Sequence, residues 1–77
     1  MPDFALEVRL FAYLRDDRGK KVFLDIPEGT TVQDIFDRLG IDAKDVSIIL
    51  INGRDAELSS CFVEGDYLSL FPPVGGG

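Results

Sequence analysis

A single segment with helical hydrophobic spacing, set among segments that alternate, constrains the fold of this chain most. In residues 28–40, apolar side chains recur at the 3.6-residue period of an α-helix, at Val32, Ile35, Phe36 and Leu39. Thr31 is the predicted N-cap, Asp34 completes a weak capping box, and Gly40 supplies a left-handed stop. One short helix with one apolar face must bury that face against a sheet.

The segments before the helix predict a β-hairpin. Residues 4–14 alternate as a strand does, with one face formed by Phe4, Leu6, Val8 and Leu10. The other face carries Glu7, Arg9 and Phe11. Residues 21–26 alternate in the same way, and the charged segment 15–21, with Gly19 as pivot, is the turn between the two strands. Pro27 ends the second strand because it lacks an N–H donor.

The segments after the helix predict three more strands. Residues 46–51 form a short, β-branched apolar run, which is typical of a buried strand. The Asn-Gly pair at 52–53 is a strong hairpin signal and predicts a short return strand over 54–58. A turn at 64–66 then leads into a final strand over 67–71.

This order of elements predicts an α+β fold of the β-grasp, ubiquitin-like type. The expected sheet is mixed, with four to five strands and one main helix across one face. The hydrophobic final strand needs a central place, most simply parallel to the first strand. We therefore expect a β-grasp domain over residues 1–71 and a flexible C-terminal tail over 72–77.

The composition fits one small domain and excludes several functions. The chain has 77 residues, of which 45% are hydrophobic, enough for one core and too many for a disordered chain. Its 14 acidic and 8 basic residues give a net charge of −6, which predicts no nucleic-acid partner and suits a basic protein partner. With no signal peptide or long apolar run, we expect a cytoplasmic protein with no membrane partner.

The residue types limit the chemistry that the chain can perform alone. Without histidine and with one cysteine, the usual zinc sites and Cys/His nucleophiles are excluded, so the chain is not a self-sufficient hydrolase. Cys61 is expected to be a small buried apolar side chain rather than a reactive thiol.

The last seven residues, F-P-P-V-G-G-G, are either a frayed end or the functional part of the chain. Gly75, Gly76 and Gly77 carry no Cβ, so their backbone can approach another protein closely. Pro72 and Pro73 restrict the conformations of the segment before them, which lowers the entropy lost on insertion into a partner.

Four stretches resemble the small subunit of molybdopterin synthase, MoaD, within the MoaD/ThiS ubiquitin-like sulfur carriers. They are F-A-Y-L-R-D at 11–16, the Asn-Gly turn, E-G-D at 64–66 and, most specifically, F-P-P-V-G-G-G. The Pro-Pro pair favours this group over the similar thiamine-pathway carriers. Glycine at position 75 is a small departure from the group's pattern.

The resemblance implies a sulfur carrier with no bound cofactor. An E1-like, MoeB-like enzyme would use ATP to adenylate the Gly77 carboxylate, and a sulfur donor would convert it to a thiocarboxylate. The tail, comprising Pro72, Pro73, Val74, Gly75 and Gly76, would then insert into the large subunit, MoaE. The chain would be non-catalytic alone. A carrier for thiamine or another pathway, a ubiquitin-like protein modifier, and a structural module with an idle tail remain alternatives.

Two aromatic residues are candidates for partner binding. Alternation places Phe11 and Phe71 on the sheet face opposite the helix. There we favour an apolar patch that docks onto a partner, and the alternative is that the two rings pack against each other or on the strand-end loops. Phe23 is a weaker candidate for the same face. Arg15 is expected to be a solvated or salt-bridged surface group. The acidic residues expected at the surface, which would steer the carrier toward basic partners, are Asp16, Asp17, Asp34, Asp37, Asp42 and Asp45.

Overall fold

The computed structural model describes residues 3–73. The predicted tail positions Val74, Gly75, Gly76 and Gly77 lie outside the described residues, so their predicted roles stay predictions. Within 3–73 the chain forms five strands and one α-helix, namely β1 (Phe4–Leu10), β2 (Lys21–Ile26), α1 (Val32–Leu39), β3 (Ile48–Ile51), β4 (Arg54–Asp55) and β5 (Tyr67–Phe71). Two short 3-10 helices cover Ala12–Arg15 and Ala43–Asp45.

The five strands form one mixed sheet in the order β2-β1-β5-β3-β4. Strand β5 lies at the centre, parallel to β1 and antiparallel to β3, and the outer pairs are antiparallel. This is the β-grasp fold, and the predicted central, parallel position of the last strand is confirmed. No helix within residues 3–73 is long and apolar enough to cross a membrane.

Helix α1 begins and ends at the predicted residues. The Thr31 side-chain oxygen accepts a hydrogen bond from the Asp34 N–H at 3.2 Å, and the Asp34 carboxylate accepts one from the Thr31 N–H at 3.0 Å. Gly40 has φ +69°, and its N–H donates to the carbonyls of the last helical turn. The capping box satisfies two N–H groups that would otherwise lack partners at the helix start.

The core lies between α1 and one face of the sheet. Three residues of the apolar stripe of the helix, Val32, Ile35 and Phe36, are fully buried, and Leu39 is partly buried. The inward side chains of β1 and β5 oppose it, and the buried set includes Leu6, Val8, Leu10, Leu68 and Leu70. The opposite face of the sheet is called the outer face below.

The capping box gives a first testable prediction. Replacing Thr31 with alanine removes the hydroxyl that accepts from the Asp34 N–H, so we expect the free energy of unfolding to fall by about 1 kcal/mol. Thr31→Ser keeps the hydroxyl and is expected to restore most of the loss. Urea denaturation of both variants measures the difference, and equal stability of the two would contradict this role of the hydroxyl.

The first strand is shorter than predicted. It ends at Leu10 rather than continuing to residue 14, because Ala12 adopts φ +53° and starts the 3-10 turn. This turn brings Leu14 into the core. The burial of Leu14 opposes the backbone cost of a left-handed alanine.

The prediction of a buried third strand is also wrong. Strand β3 is half-buried, and Ile48 is 43% exposed, because only the two-residue β4 lies beyond it at that side of the sheet. The return strand ends at Asp55 instead of residue 58. A turn follows, in which the Glu57 N–H donates to the Ser60 hydroxyl at 3.0 Å.

Cys61 is exposed, which contradicts its predicted burial. Its backbone forms an isolated bridge with Thr31, and the next residue, Phe62, points into the core. Successive side chains in extended backbone point to opposite sides, so burying Phe62 turns Cys61 outward.

Candidate functional site

The chain leaves the sheet at a fixed point, here called the tail root and defined as Phe71, Pro72 and Pro73. The Phe71 carbonyl accepts a hydrogen bond from the Ser47 N–H at 2.8 Å. One residue earlier, the Leu70 carbonyl accepts from the Phe11 N–H at 3.2 Å. Strand β5 is thus held from both sides up to its last residue. The prolines have no N–H, so the hydrogen-bond ladder cannot continue through them.

Phe11 and Phe71 stack on each other at the tail root. Their ring centroids are 4.1 Å apart and their planes differ by 11°. The parallel register pairs Leu10 with Leu70, which brings the two following residues side by side. Of the alternatives for these two residues, packing of the rings against each other is thus observed. Their docking onto a partner stays a prediction.

Arg15 supports this stack, contrary to its predicted role as a solvated or salt-bridged group. Its Nε donates to the Leu10 carbonyl at 2.8 Å, and its guanidinium carbon lies 5.5 Å from the centre of the Phe11 ring. The 3-10 turn folds the side chain back over the end of β1. The sequence did not predict this contact, because it extended the strand to residue 14 and gave no sign of the 3-10 turn over Ala12–Arg15.

An apolar groove of about 470 Å³ opens beside the tail root. It is lined by Phe11, Ala12, Tyr13, Ile48, Phe71, Pro72 and Pro73, and we call it the root groove. Tyr13 is 49% exposed and Ile48 43% exposed, so both present apolar surface to solvent. Antiparallel pairing sets Ile48 opposite Phe71.

Ala12, Tyr13 and Ile48 were missed as site residues in the sequence. Tyr13 reaches the groove only because of the left-handed turn at Ala12. Such a turn is usually marked by glycine, and this position carries alanine. Ile48 lines the groove because the β3–β5 register pairs it with Phe71. The hydrophobic pattern predicts that the strand exists but does not specify which residues pair across the two strands.

A charged cluster occupies the outer face beyond the groove. The Arg9 guanidinium lies 4.0 Å from the centre of the Tyr67 ring and forms an ion pair with Glu7. The hydrogen bond from Arg9 lowers the pKa of Glu7, and the same bond raises the pKa of Arg9. Both groups therefore keep their charges at neutral pH, and neither serves as a proton donor or acceptor there.

The predicted acidic surface is confirmed with one exception. Five of the six aspartates are exposed, and Asp45 is half-buried. The described site thus combines an apolar groove with a fixed exit of the chain from the sheet. This arrangement can bind a protein partner at the point where the chain leaves the sheet.

The sequence profile of the ThiS family matches residues 8–77. The chain belongs to the ThiS family. A comparison with curated protein sequences gives no significant match.

Several solved structures share this ThiS-family fold over nearly their whole length. SAMP1 from Haloferax volcanii is 31% identical with a TM-score of 0.77, over 95% of this chain and 99% of that one. A putative molybdopterin converting factor subunit 1 from Pyrococcus furiosus is 25% identical with a TM-score of 0.76, over 92% of this chain and 99% of that one. A chain from the complex of subunits 1 and 2 of the molybdopterin-converting factor from Helicobacter pylori is 25% identical with a TM-score of 0.65, over 96% of this chain and 100% of that one.

These similarities define the general class of the protein. It is a ubiquitin-like β-grasp protein of the ThiS/MoaD sulfur-carrier type. The narrower resemblance to the small subunit of molybdopterin synthase stays a prediction, since the similar structures include both molybdopterin-converting factors and an archaeal modifier protein.

Proposed function

We propose that this chain is a sulfur carrier whose Gly77 carboxylate is adenylated by an E1-like enzyme and converted to a thiocarboxylate. It then acts as the small subunit of molybdopterin synthase and donates sulfur to a pterin precursor. The tail root carries this proposal: the central strand of the sheet ends at Phe71, held by Ser47, beside an apolar groove.

The chemistry of the terminal carboxylate accounts for the need for an activating partner. A carboxylate is a poor acyl donor. Attack of its oxygen on ATP, with release of pyrophosphate, gives an acyl-adenylate with a good leaving group. Hydrosulfide (HS⁻) released by the sulfur donor then attacks the carbonyl carbon, so that the C–S bond forms as the C–O bond to AMP breaks, and loss of a proton gives the thiocarboxylate. ATP and the sulfur donor are used by the E1-like partner, and the carrier binds neither as a resident cofactor.

The root groove supports a docking role next to the tail. Its lining residues Phe11, Tyr13 and Ile48 offer apolar surface at the point where the chain leaves the sheet. A partner that covers this surface would receive the tail in a defined direction, because Phe71 is fixed by hydrogen bonds and by stacking. The same surface would serve in turn for the E1-like enzyme and for the large subunit of molybdopterin synthase.

The Pro-Pro pair of the tail root and two of the similar structures support the molybdopterin pathway. Pro72 and Pro73 are the residues that favour the small subunit of molybdopterin synthase over thiamine carriers in the sequence resemblance. The H. pylori structure, in which subunit 1 is bound to subunit 2, supports a large-subunit partner for this chain as well.

A second candidate function is protein modification. SAMP1, at 31% identity, is named a small archaeal modifier protein. Acyl activation of Gly77 would serve this function too, with a lysine amine in place of sulfur as the nucleophile.

Mass spectrometry of the intact chain tests the carrier function. After incubation with an E1-like enzyme, ATP and a sulfur donor, we expect the mass to rise by about 16 Da, the difference between sulfur and oxygen. Omitting ATP is the control and should leave the mass unchanged. An unchanged mass with several E1-like enzymes would contradict the proposal and favour an idle tail.

The thiocarboxylated chain then separates the candidate pathways. With a large subunit and a pterin precursor, formation of a dithiolene product supports the molybdopterin assignment. Thiazole formation with thiamine-pathway enzymes, or isopeptide conjugates on lysines of other proteins, would replace that assignment with one of the alternatives.

A further inference from the structure

The longer edge of the sheet is strand β2. Within residues 3–73, β2 pairs only with β1, and its other side receives no strand. It spans Lys21–Ile26, whereas the opposite edge is the two-residue β4. An edge strand of this length is a template for pairing with another chain.

The hydrogen-bond register shows which backbone groups face away from β1. The Leu10 N–H donates to the Lys20 carbonyl at 2.9 Å, so even-numbered residues of β2 direct their backbone groups toward β1. The outward-directed residues are therefore Lys21, Phe23 and Asp25. An independent contact agrees with this assignment. Arg38 of the helix donates to the Asp25 carbonyl at 2.9 Å, so this carbonyl is not directed toward β1.

The side chains of these three residues lie together on the outer face. Phe23 is opposite Glu7 in the β1–β2 register and is 65% exposed. The sequence Lys-x-Phe-x-Asp is complementary to itself when two copies run antiparallel about Phe23. In that alignment each Lys21 is opposite Asp25 of the second copy, and the two Phe23 rings meet on the axis.

We propose that two copies of this chain associate through their β2 edges, antiparallel, with a two-fold axis at Phe23. The alignment forms about six backbone hydrogen bonds from the outward N–H and C=O groups. The Asp25 carbonyl has a second lone pair, so its bond from Arg38 does not prevent pairing. The result is a continuous sheet across both copies.

Charge favours a second copy over another strand as the occupant. A lysine on an edge strand opposes generic pairing, because an arbitrary partner leaves its charge uncompensated. In the antiparallel alignment about Phe23, Asp25 compensates Lys21 at both ends. The small contact area and the net charge of −6 on each copy make the dimer weak, with a dissociation constant on the order of 100 µM in moderate salt.

This surface is separate from the root groove. Strand β1 lies between β2 and β5, and none of the outward residues of β2 lines the groove. The inference is thus independent of the sulfur-carrier proposal, and neither root groove lies at the contact between the two copies.

Sedimentation velocity over a concentration series up to about 1 mM tests the dimer. The unmodified chain is expected to shift from monomer to dimer. Lys21→Glu or Asp25→Lys alone is expected to weaken association roughly tenfold, because each change loses two symmetric ion pairs and adds two like-charge contacts. The double swap is expected to restore it. A chain that stays monomeric, or a double swap that fails to restore association, would overturn the proposal.

Two further measurements locate the contact. Phe23→Lys is expected to abolish association, while Val63→Lys, at an equally exposed apolar residue away from β2, is expected to leave it unchanged. Amide hydrogen exchange should slow with concentration at Lys21, Phe23 and Asp25, while Val22 and Leu24 are protected at all concentrations. Equal effects of the two lysine variants, or protection that does not alternate, would place the contact elsewhere and overturn the proposal.

Discussion

A chain with one alanine added after Gly77 is expected to form no detectable thiocarboxylate. The added residue moves the carboxylate by about 3.5 Å along the tail and puts a Cβ where the proposal requires bare backbone. Misplacing a reacting group by about 1 Å can lower a rate a hundredfold, so a shift of a whole residue should reduce loading below detection. Intact-mass analysis after incubation with the E1-like enzyme, ATP and a sulfur donor measures the result.

The matched control adds one alanine before Met1 instead. It has the same composition, and its expected loading equals that of the unmodified chain. Both extended chains should unfold at the same urea concentration as the unmodified chain, because neither change touches the core between α1 and the sheet. Loading of the C-terminally extended chain at the normal rate would contradict the proposal that Gly77 is the acyl-carrying residue.

The sequence predicted the fold well because its local signals agree with one topology. The stripe from Val32 to Leu39, the capping pair Thr31–Asp34 and the stop at Gly40 all act within one short segment. The Asn-Gly turn has positive φ at both residues, as hairpin turns of this kind require. Signals of this type depend on neighbouring residues only, so they can be interpreted without the three-dimensional structure.

The errors arise where tertiary contacts override the local pattern. Residues 11–14 alternate like a strand, yet burial of Leu14 draws them into a turn at a left-handed Ala12. Cys61 is small and apolar, yet burial of Phe62 turns it outward. In both cases a larger neighbouring side chain fills the core, and the adjacent residue takes the conformation or direction that remains.

Only the part of the site that depends on local sequence patterns was predicted. Strand alternation placed Phe11 and Phe71 on one face of the sheet, where they stack on each other, and their predicted docking onto a partner stays a prediction. Tyr13 and Ile48 depend on a turn and on a register between strands that are distant in the sequence. The tail carries the strongest sequence signal, and thiocarboxylate formation, measured by intact mass, tests its predicted chemistry.

Ile48→Asp is expected to weaken binding to both the E1-like enzyme and the large subunit by about 10- to 100-fold. In the free chain the new carboxylate would remain hydrated, because Ile48 is already 43% exposed on the outer face. In a complex that covers the root groove it would be withdrawn from water among apolar groups, and the expected loss of affinity corresponds to a net cost of about 1.4 to 2.8 kcal/mol. Isothermal titration calorimetry with each partner measures the affinity, and urea denaturation measures the stability.

Val63→Asp is the matched control for this change. It converts another exposed β-branched apolar residue to aspartate and alters the net charge equally, but Val63 does not line the root groove. Comparing the two variants therefore separates the effect of a charge placed in the root groove from the effect of the more negative net charge on partner binding. Phe71→Asp would separate them less cleanly, since that ring also stacks on Phe11 and its loss would disturb the fold. Equal weakening by Ile48→Asp and Val63→Asp would show that charge, rather than the root groove, governs docking.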